Sequence, residues 1–115
     1  DSTFPTSAGE QFRDFCYVDD TVCAILQALD SPEGEGEVFN VASGIPISIR
    51  EIIEKVRNIT GSGKPIYGKV PYRPGENMKL YASISKAKNI LQWEPKVSLK
   101  DGLTKTINYL SKNHA

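Results

Sequence analysis

The sequence predicts a small α/β domain of about four helices and a few short strands, leaning on a further layer. Three observations predict it. Four segments carry apolar residues at helical spacing, short aromatic or β-branched runs bounded by Gly and Pro read as strands, and a strand leads straight into a helix twice. So few strands cannot cover that many helix faces, hence the expected extra layer, absent or supplied by a second copy. At 115 residues the chain suits one domain with a modest core.

Residues 1–11, with Pro5, Ser7 and Gly9, show no apolar period and read as an extended entry segment left loose unless a partner covers it. Phe15, Tyr17 and Val18 predict a strand, and Asp19-Asp20 an N-cap for an amphipathic helix with the apolar series Val22, Ile25, Leu26 and Leu29. The breakers and acids of residues 30–37 mark an exposed turn, followed by a short strand over residues 38–41 and a loop to Ile47. Ser48-Ile-Arg-Glu51 is a capping box, and Ile49, Ile52, Ile53, Val56 and Ile59 form one stripe of a helix that Gly61-Ser-Gly63 ends.

Residues 65–70 read as a strand, residues 71–77 as a Pro-flanked loop and residues 79–82 as a short extended piece. Ser83 is the expected cap of a helix over residues 84–91 with Ile84, Ala87, Ile90 and Leu91 inward, and Trp93 reads as core rather than as a ligand platform. Ser98-Leu-Lys-Asp101 opens a last helix with Leu99, Leu103, Ile107 and Leu110 on one face; Gly102 lowers its propensity without altering the pattern.

Lys plus Arg and Asp plus Glu are 14 each, so no global basic field recruits nucleic acid and any anion must be bound locally. No apolar run approaches the roughly 20 residues that span a bilayer, and the first residues lack signal-peptide character, so a soluble cytoplasmic protein is expected. Cys16 and Cys23 fit no metal or redox spacing and read as small core residues. The only histidine, His114, lies at an end expected to fray, which removes His-based triads and most zinc sites. The chain opens on Asp1 rather than Met, as a trimmed, cloned or renumbered piece would.

Two arginines stand out. Arg13 precedes its strand, where a short loop can aim a guanidinium fork at a phosphate or carboxylate; the plainer alternative is a surface pair with Asp14. Arg73 lies between Pro71 and Pro74, which leave its loop less entropy to lose on binding; the plainer alternative is a pair with Glu76.

Five segments in order, Arg13-Asp-Phe-Cys-Tyr-Val-Asp-Asp20, Val38-Phe-Asn-Val-Ala-Ser-Gly44, Ser48-Ile-Arg-Glu-Ile-Ile53, Tyr72-Arg-Pro-Gly-Glu76, and Ala82-Ser-Ile-Ser-Lys-Ala87 through Leu91-Gln-Trp-Glu-Pro95, resemble the nucleotide-sugar epimerases and dehydratases of the extended short-chain dehydrogenase/reductase family. They resemble its C-terminal, substrate-binding portion, from about residue 9 onward. The resemblance implies that Arg13 and Arg73 hold the diphosphate of a UDP-, dTDP-, CDP- or GDP-hexose. It also implies that Ser48 and Asn77 lie near the nucleotide, against plainer roles as an N-cap and a turn residue.

It further implies an NAD- or NADP-dependent parent enzyme that oxidises the sugar at C4 before epimerisation, dehydration or decarboxylation. The family's Gly-rich turn for the cofactor and its Tyr with a Lys four residues on have no counterpart in this sequence. The expectation is therefore a single-domain fragment over residues 1–115, lacking the Rossmann cofactor half, with no catalytic, cofactor-binding or metal residue and no cofactor of its own. Its partners would be the nucleotide sugar, the missing Rossmann half and a second copy in a homo-oligomer, with neither nucleic acid nor membrane. Two other functions compete: a stand-alone nucleotide-sugar binding module, and a structural oligomerisation domain whose arginines make interface ion pairs.

Overall fold

In the computed structural model, which describes residues 2–113, four helices are joined by short strands. In chain order these are β1 (Thr3–Pro5), β2 (Phe12–Arg13), α1 (Val18–Asp30), β3 (Ile47–Ser48), α2 (Ile49–Thr60), β4 (Lys64–Ile66), α3 (Ser85–Leu91) and α4 (Leu99–Asn113). The α/β class with four helices is as expected. The strands form two ribbons: β1 runs parallel to β4 with Phe4 opposite Pro65, and β2 antiparallel to β3 with Arg13 opposite Ile47. His114 lies outside the described residues.

Residues 2–6 are not loose. The Lys64 amide donates to the Ser2 carbonyl at 2.9 Å, the Thr6 amide to Ile66 at 3.2 Å and the Val70 amide to Thr6 at 3.0 Å. These partners are some sixty residues away in sequence, so no local pattern announces them.

The strand expected at residues 15–18 lies earlier, at Phe12–Arg13, because the backbones able to pair with this stretch, Ile47–Ser48 and residues 78–80, stand opposite it. The expected Asp19-Asp20 cap is also displaced. α1 starts at Val18 with Tyr17 as N-cap and no side-chain cap bond, and both aspartates fall in its first turn, where carboxylates suit the helix dipole. Asp20 is buried and has another job: its Oδ2 accepts from the backbone N–H of Lys96 (3.1 Å) and Val97 (3.0 Å).

The apolar series of α1 is left uncovered, as a domain leaning on a further layer would leave it. Val22, Ile25, Leu26 and Leu29 all face out, Leu29 at 78% exposure, while Asp20, Ala24 and Ala28 turn inward. At about 100° per residue these sets occupy opposite sides of the helix. The small side is the one α3 can approach: Ala24, Ala87, Leu91 and Trp93 form the buried cluster, with Cys16, Phe39, Val41, Ile84 and Ile90 packed against it. Cys23 is exposed, contrary to expectation, whereas Cys16 is half-buried.

Residues 38–41 form no strand. Phe39 and Val41 reach the core cluster, but no neighbouring strand is offered to this backbone, and Val38 is 81% exposed. In α3, Ile84 rather than Ser83 occupies the cap position, with the Ser83 hydroxyl accepting from the Ser85 amide. Two caps form where the sequence puts them: Ser48 Oγ accepts from the Glu51 amide (3.2 Å) and Ser98 Oγ from the Asp101 amide (3.1 Å). Gly102 does more than lower propensity, because a Cβ there would meet the Tyr17 ring at 3.2 Å.

The molecule measures 51 × 37 × 19 Å with a radius of gyration of 16.8 Å, against about 13 Å for a compact chain near this length. Its short axis holds about two layers of side chains, which leaves the outer face of α1 without cover. Among the described residues no helix is long and apolar enough to cross a membrane.

Candidate functional site

β2 is the hinge of the candidate site. Phe12 sits opposite Ser48 on one side and bridges in parallel to Lys79 on the other, its N–H donating to Met78 O (2.7 Å) and its carbonyl accepting from Leu80 N (3.1 Å). This pairing brings the backbones of residues 12–13, 47–48 and 78–80 side by side although they are far apart in sequence, with Ser48 in register with Phe12 and Arg13 with Ile47.

Arg73 enters through a turn. In Arg73-Pro-Gly-Glu76, Pro74 supplies the fixed φ, Gly75 takes φ +75°, and the Glu76 amide donates to Arg73 O at 3.0 Å. Pro then Gly with that φ and that bond is the type II pattern, which sets the first and fourth side chains next to each other. The loop is tied down at both ends: the Tyr72 hydroxyl accepts from the Glu10 amide (2.9 Å) and donates to its carboxylate (3.2 Å), and Asn77 Oδ1 accepts from the Lys79 amide (3.0 Å).

The result is a shared ion pair. Arg13 Nη2 and Arg73 Nη2 both donate to the same oxygen, Glu76 Oε2, at 3.0 and 3.2 Å. Arg13 Nη1 also donates to its own chain at Phe12 O, 2.7 Å away. Side-chain exposure is 21% for Arg13, 11% for Glu76 and 83% for Arg73. Two cations on one carboxylate leave a net positive cluster, with Arg73 facing solvent. The two forks expected from sequence thus converge; Glu76 partners both, and Asp14 instead accepts from the amides of Ser43 (2.6 Å) and Gly44 (2.9 Å).

Ser48 and Asn77 are each engaged in a local cap or turn bond, and neither bonds to this ion-pair cluster among the described contacts. Arg50, which the sequence did not mark, lies beside Ser48 in an open depression also lined by Ala8, Gly9 and Phe12. An apolar groove of about 370 Å³ between residues 43–47 and 95–99 is lined by none of the four sequence candidates. Among the described residues no three His, Cys, Asp or Glu side chains gather around a metal position.

A second polar knot ties α2 to the turn after β4. The Tyr67 hydroxyl donates to the Glu54 carboxylate, Arg57 Nη1 donates to both Glu54 oxygens (2.8 and 3.1 Å), and the Arg50 guanidinium lies 4.1 Å over the Tyr67 ring. The Tyr67 hydrogen bond, helped by the Arg57 charge and opposed by desolvation, holds the Glu54 carboxyl below its usual range. Burial and the same carboxylate push the Tyr67 phenol up, and burial pushes the Cys16 thiol up against the Thr21 hydroxyl bond. Because Glu54 titrates lower folded than unfolded, its contribution is complete above the ordinary carboxylate value, about pH 4.3, and drains as pH falls through the lowered one. Urea midpoints should therefore drop below about pH 4.3, with a smaller drop in Glu54→Gln; identical acid limbs would contradict this.

The family model for GDP-mannose 4,6-dehydratase matches residues 2–106. The chain belongs to this family of NAD-dependent nucleotide-sugar epimerases and dehydratases, within the extended short-chain dehydrogenases/reductases. It is 37% identical over 103 residues to an uncharacterised UDP-glucose epimerase of Bacillus subtilis, covering 90% of this chain and 32% of that protein. It is 37% identical over 107 residues to the UDP-glucuronate 4-epimerase of Thermodesulfobacterium geofontis, covering 91% and 32% respectively. The crystal structure of UDP-glucose 4-epimerase with UDP-glucose from Thermotoga maritima superposes with a TM-score of 0.86 at 38% identity, over 98% of this chain and 35% of that one. UDP-glucuronic acid 4-epimerase of Bacillus cereus, in complex with UDP-glucuronic acid and NAD, gives 0.84 at 35% identity, over 97% and 35%. The chain thus spans about a third of the length of the relatives it matches. The residues in hand do not fit the dinucleotide: the strand-to-helix junction at Ser48 has no glycine, and Gly34 and Gly36 follow α1 instead of opening a helix after a strand.

Proposed function

We propose that this chain is the part of an NAD(P)-dependent nucleotide-sugar epimerase or dehydratase that holds the nucleotide diphosphate, with Arg13 and Arg73 as the clamp and Ser48 and Asn77 beside the nucleotide. The observation that carries this is the meeting of two guanidinium forks, from β2 and from a loop sixty residues later, on one carboxylate oxygen. A carboxylate and a phosphate present similar oxygen acceptors to such forks. The UDP-sugars in the Thermotoga and Bacillus structures support a UDP-, dTDP-, CDP- or GDP-hexose as ligand.

NAD(P) belongs to the remaining two-thirds of the parent enzyme, a Rossmann half that would cover the open face of α1 and pair with the backbone of residues 38–41. The chain alone is catalytically silent on this account, and which sugar chemistry follows C4 oxidation is set by residues of that other part. Calorimetric or NMR titration with UDP, dTDP, CDP and GDP and their hexoses tests it, alone and co-expressed with the Rossmann half of a relative. One nucleotide should bind selectively, and Arg73→Ala should weaken it by about 1.5–3 kcal/mol, the usual worth of a hydrogen bond to a charged group. Equal affinity in Arg13→Ala, Arg73→Ala and the parent, or no binding even in the co-expressed protein, would refute the clamp.

A further inference from the structure

Glu76 is the least exposed member of the cluster, and its acid group does not cap, brace or pair with anything the fold otherwise needs among the contacts described. Its Oε2 receives both arginine forks, and among the described residues Glu76 Oε2 is their only common partner. Without it, Arg73 is a long, 83% exposed side chain on a turn, free among its rotamers. With it, the guanidinium is held by the type II turn that makes Arg73 and Glu76 neighbours, while Arg13 is held from the other side by Phe12 O. Arg73 spends only one Nη2 donor on Glu76, which leaves the rest of its fork available, while Arg13 also spends an Nη1 donor on Phe12 O.

We infer that Glu76 is a positioning residue: its carboxylate presets the Arg13 and Arg73 guanidinium groups so that a diphosphate meets two forks already aligned. This rests on the proposed function for the identity of the ligand, not for the alignment itself. The contact to Arg73, whose side chain is 83% exposed, contributes little to stability. Its effect is instead on binding, because a side chain rich in rotamers that is already ordered has less freedom to lose when the ligand arrives.

The test uses the full chain and Glu76→Gln, which keeps the shape and removes the charge. In the parent, the side-chain ¹⁵N–¹H spectrum should show slowed guanidinium rotation for Arg13 and Arg73. In Glu76→Gln those signals should average, with the backbone amide spectrum and melting temperature unchanged, and UDP should bind about tenfold more weakly, the order expected when two such side chains must be immobilised anew. Uridine affinity should not change between parent and variant. Unchanged arginine signals would overturn the inference. So would a variant that binds UDP as tightly as the parent or tighter, since the carboxylate would then compete with the anion. If the parent's arginine signals collapse in the variant yet neither protein binds UDP, the alignment stands and the nucleotide reading fails.

Discussion

Replacing Trp93 by Ala should cost about 3–5 kcal/mol, a large share of the roughly 5–15 kcal/mol that holds a domain together. Trp93 is 2% exposed and packs with Ala24, Ala87 and Leu91 in the buried cluster. Its Nε1–H donates to the Asp20 carbonyl at 2.9 Å, across seventy-three residues of chain. The same aspartate's carboxylate receives the amides of Lys96 and Val97, so the segment after α3 is fastened to the start of α1 twice. Truncation to Ala opens a cavity the size of an indole among residues too small to fill it and removes one fastening. Trp93→Phe keeps most of the ring volume and should cost nearer 1 kcal/mol for the lost hydrogen bond. Denaturant unfolding of both variants checks this. A loss under 1 kcal/mol for Ala would mean that the fold's centre of packing lies elsewhere.

Trp93 was legible because an indole after a helical stripe and before a proline has few places to go but inward. The orientation of α1 was not legible, and the reason is physical. A helical period identifies a face by the size of its apolar residues, and Val22, Ile25, Leu26 and Leu29 outweigh Ala24 and Ala28. Yet close approach between α1 and α3 requires small residues, and Ala24 stands near Ala87, itself fully buried. The heavy stripe is left for another surface. The strand expected at residues 38–41 failed for a related reason: its residues have β propensity, but a strand exists only where a second backbone accepts its hydrogen bonds.

At the candidate site, local chemistry was legible and long-range pairing was not. The cap at Ser48, the turn at Asn77 and the Pro-Gly turn after Arg73 all follow from short sequence patterns. That Arg13 would share Glu76 with Arg73 depends on β2 pairing beside residues 78–80, a contact sixty-three residues apart that no periodicity encodes. Asp20 misled for the opposite reason. Its position before an apolar series is a cap signal, and the structure uses its carboxylate instead on two amides from the far end of the chain.

Gly9→Ala should destabilise the chain by about 2–4 kcal/mol, combining the cost of a left-handed backbone with that of overpacking. Gly9 has φ +75°, and a Cβ there would lie 2.9 Å from Arg50 N, 3.0 Å from Arg50 Cβ and 3.1 Å from Arg50 Cα. Arg50 N donates to Gly9 O at 2.9 Å in the first turn of α2, so this backbone cannot withdraw without giving up one of the bonds that join the entry segment to the helix. Gly36→Ala is the matched control: φ is +76° but nothing lies within 4 Å of the added Cβ, so only the conformational cost of about 1–2 kcal/mol should appear. The excess of Gly9→Ala over Gly36→Ala, read from denaturant midpoints, measures the tightness of the junction. Equal losses would show that α2 yields freely. Because Glu10, the next residue, anchors Tyr72 and hence the Arg73 turn, an excess should be accompanied by weaker UDP binding, linking the strain at Gly9 to the placement of the second fork.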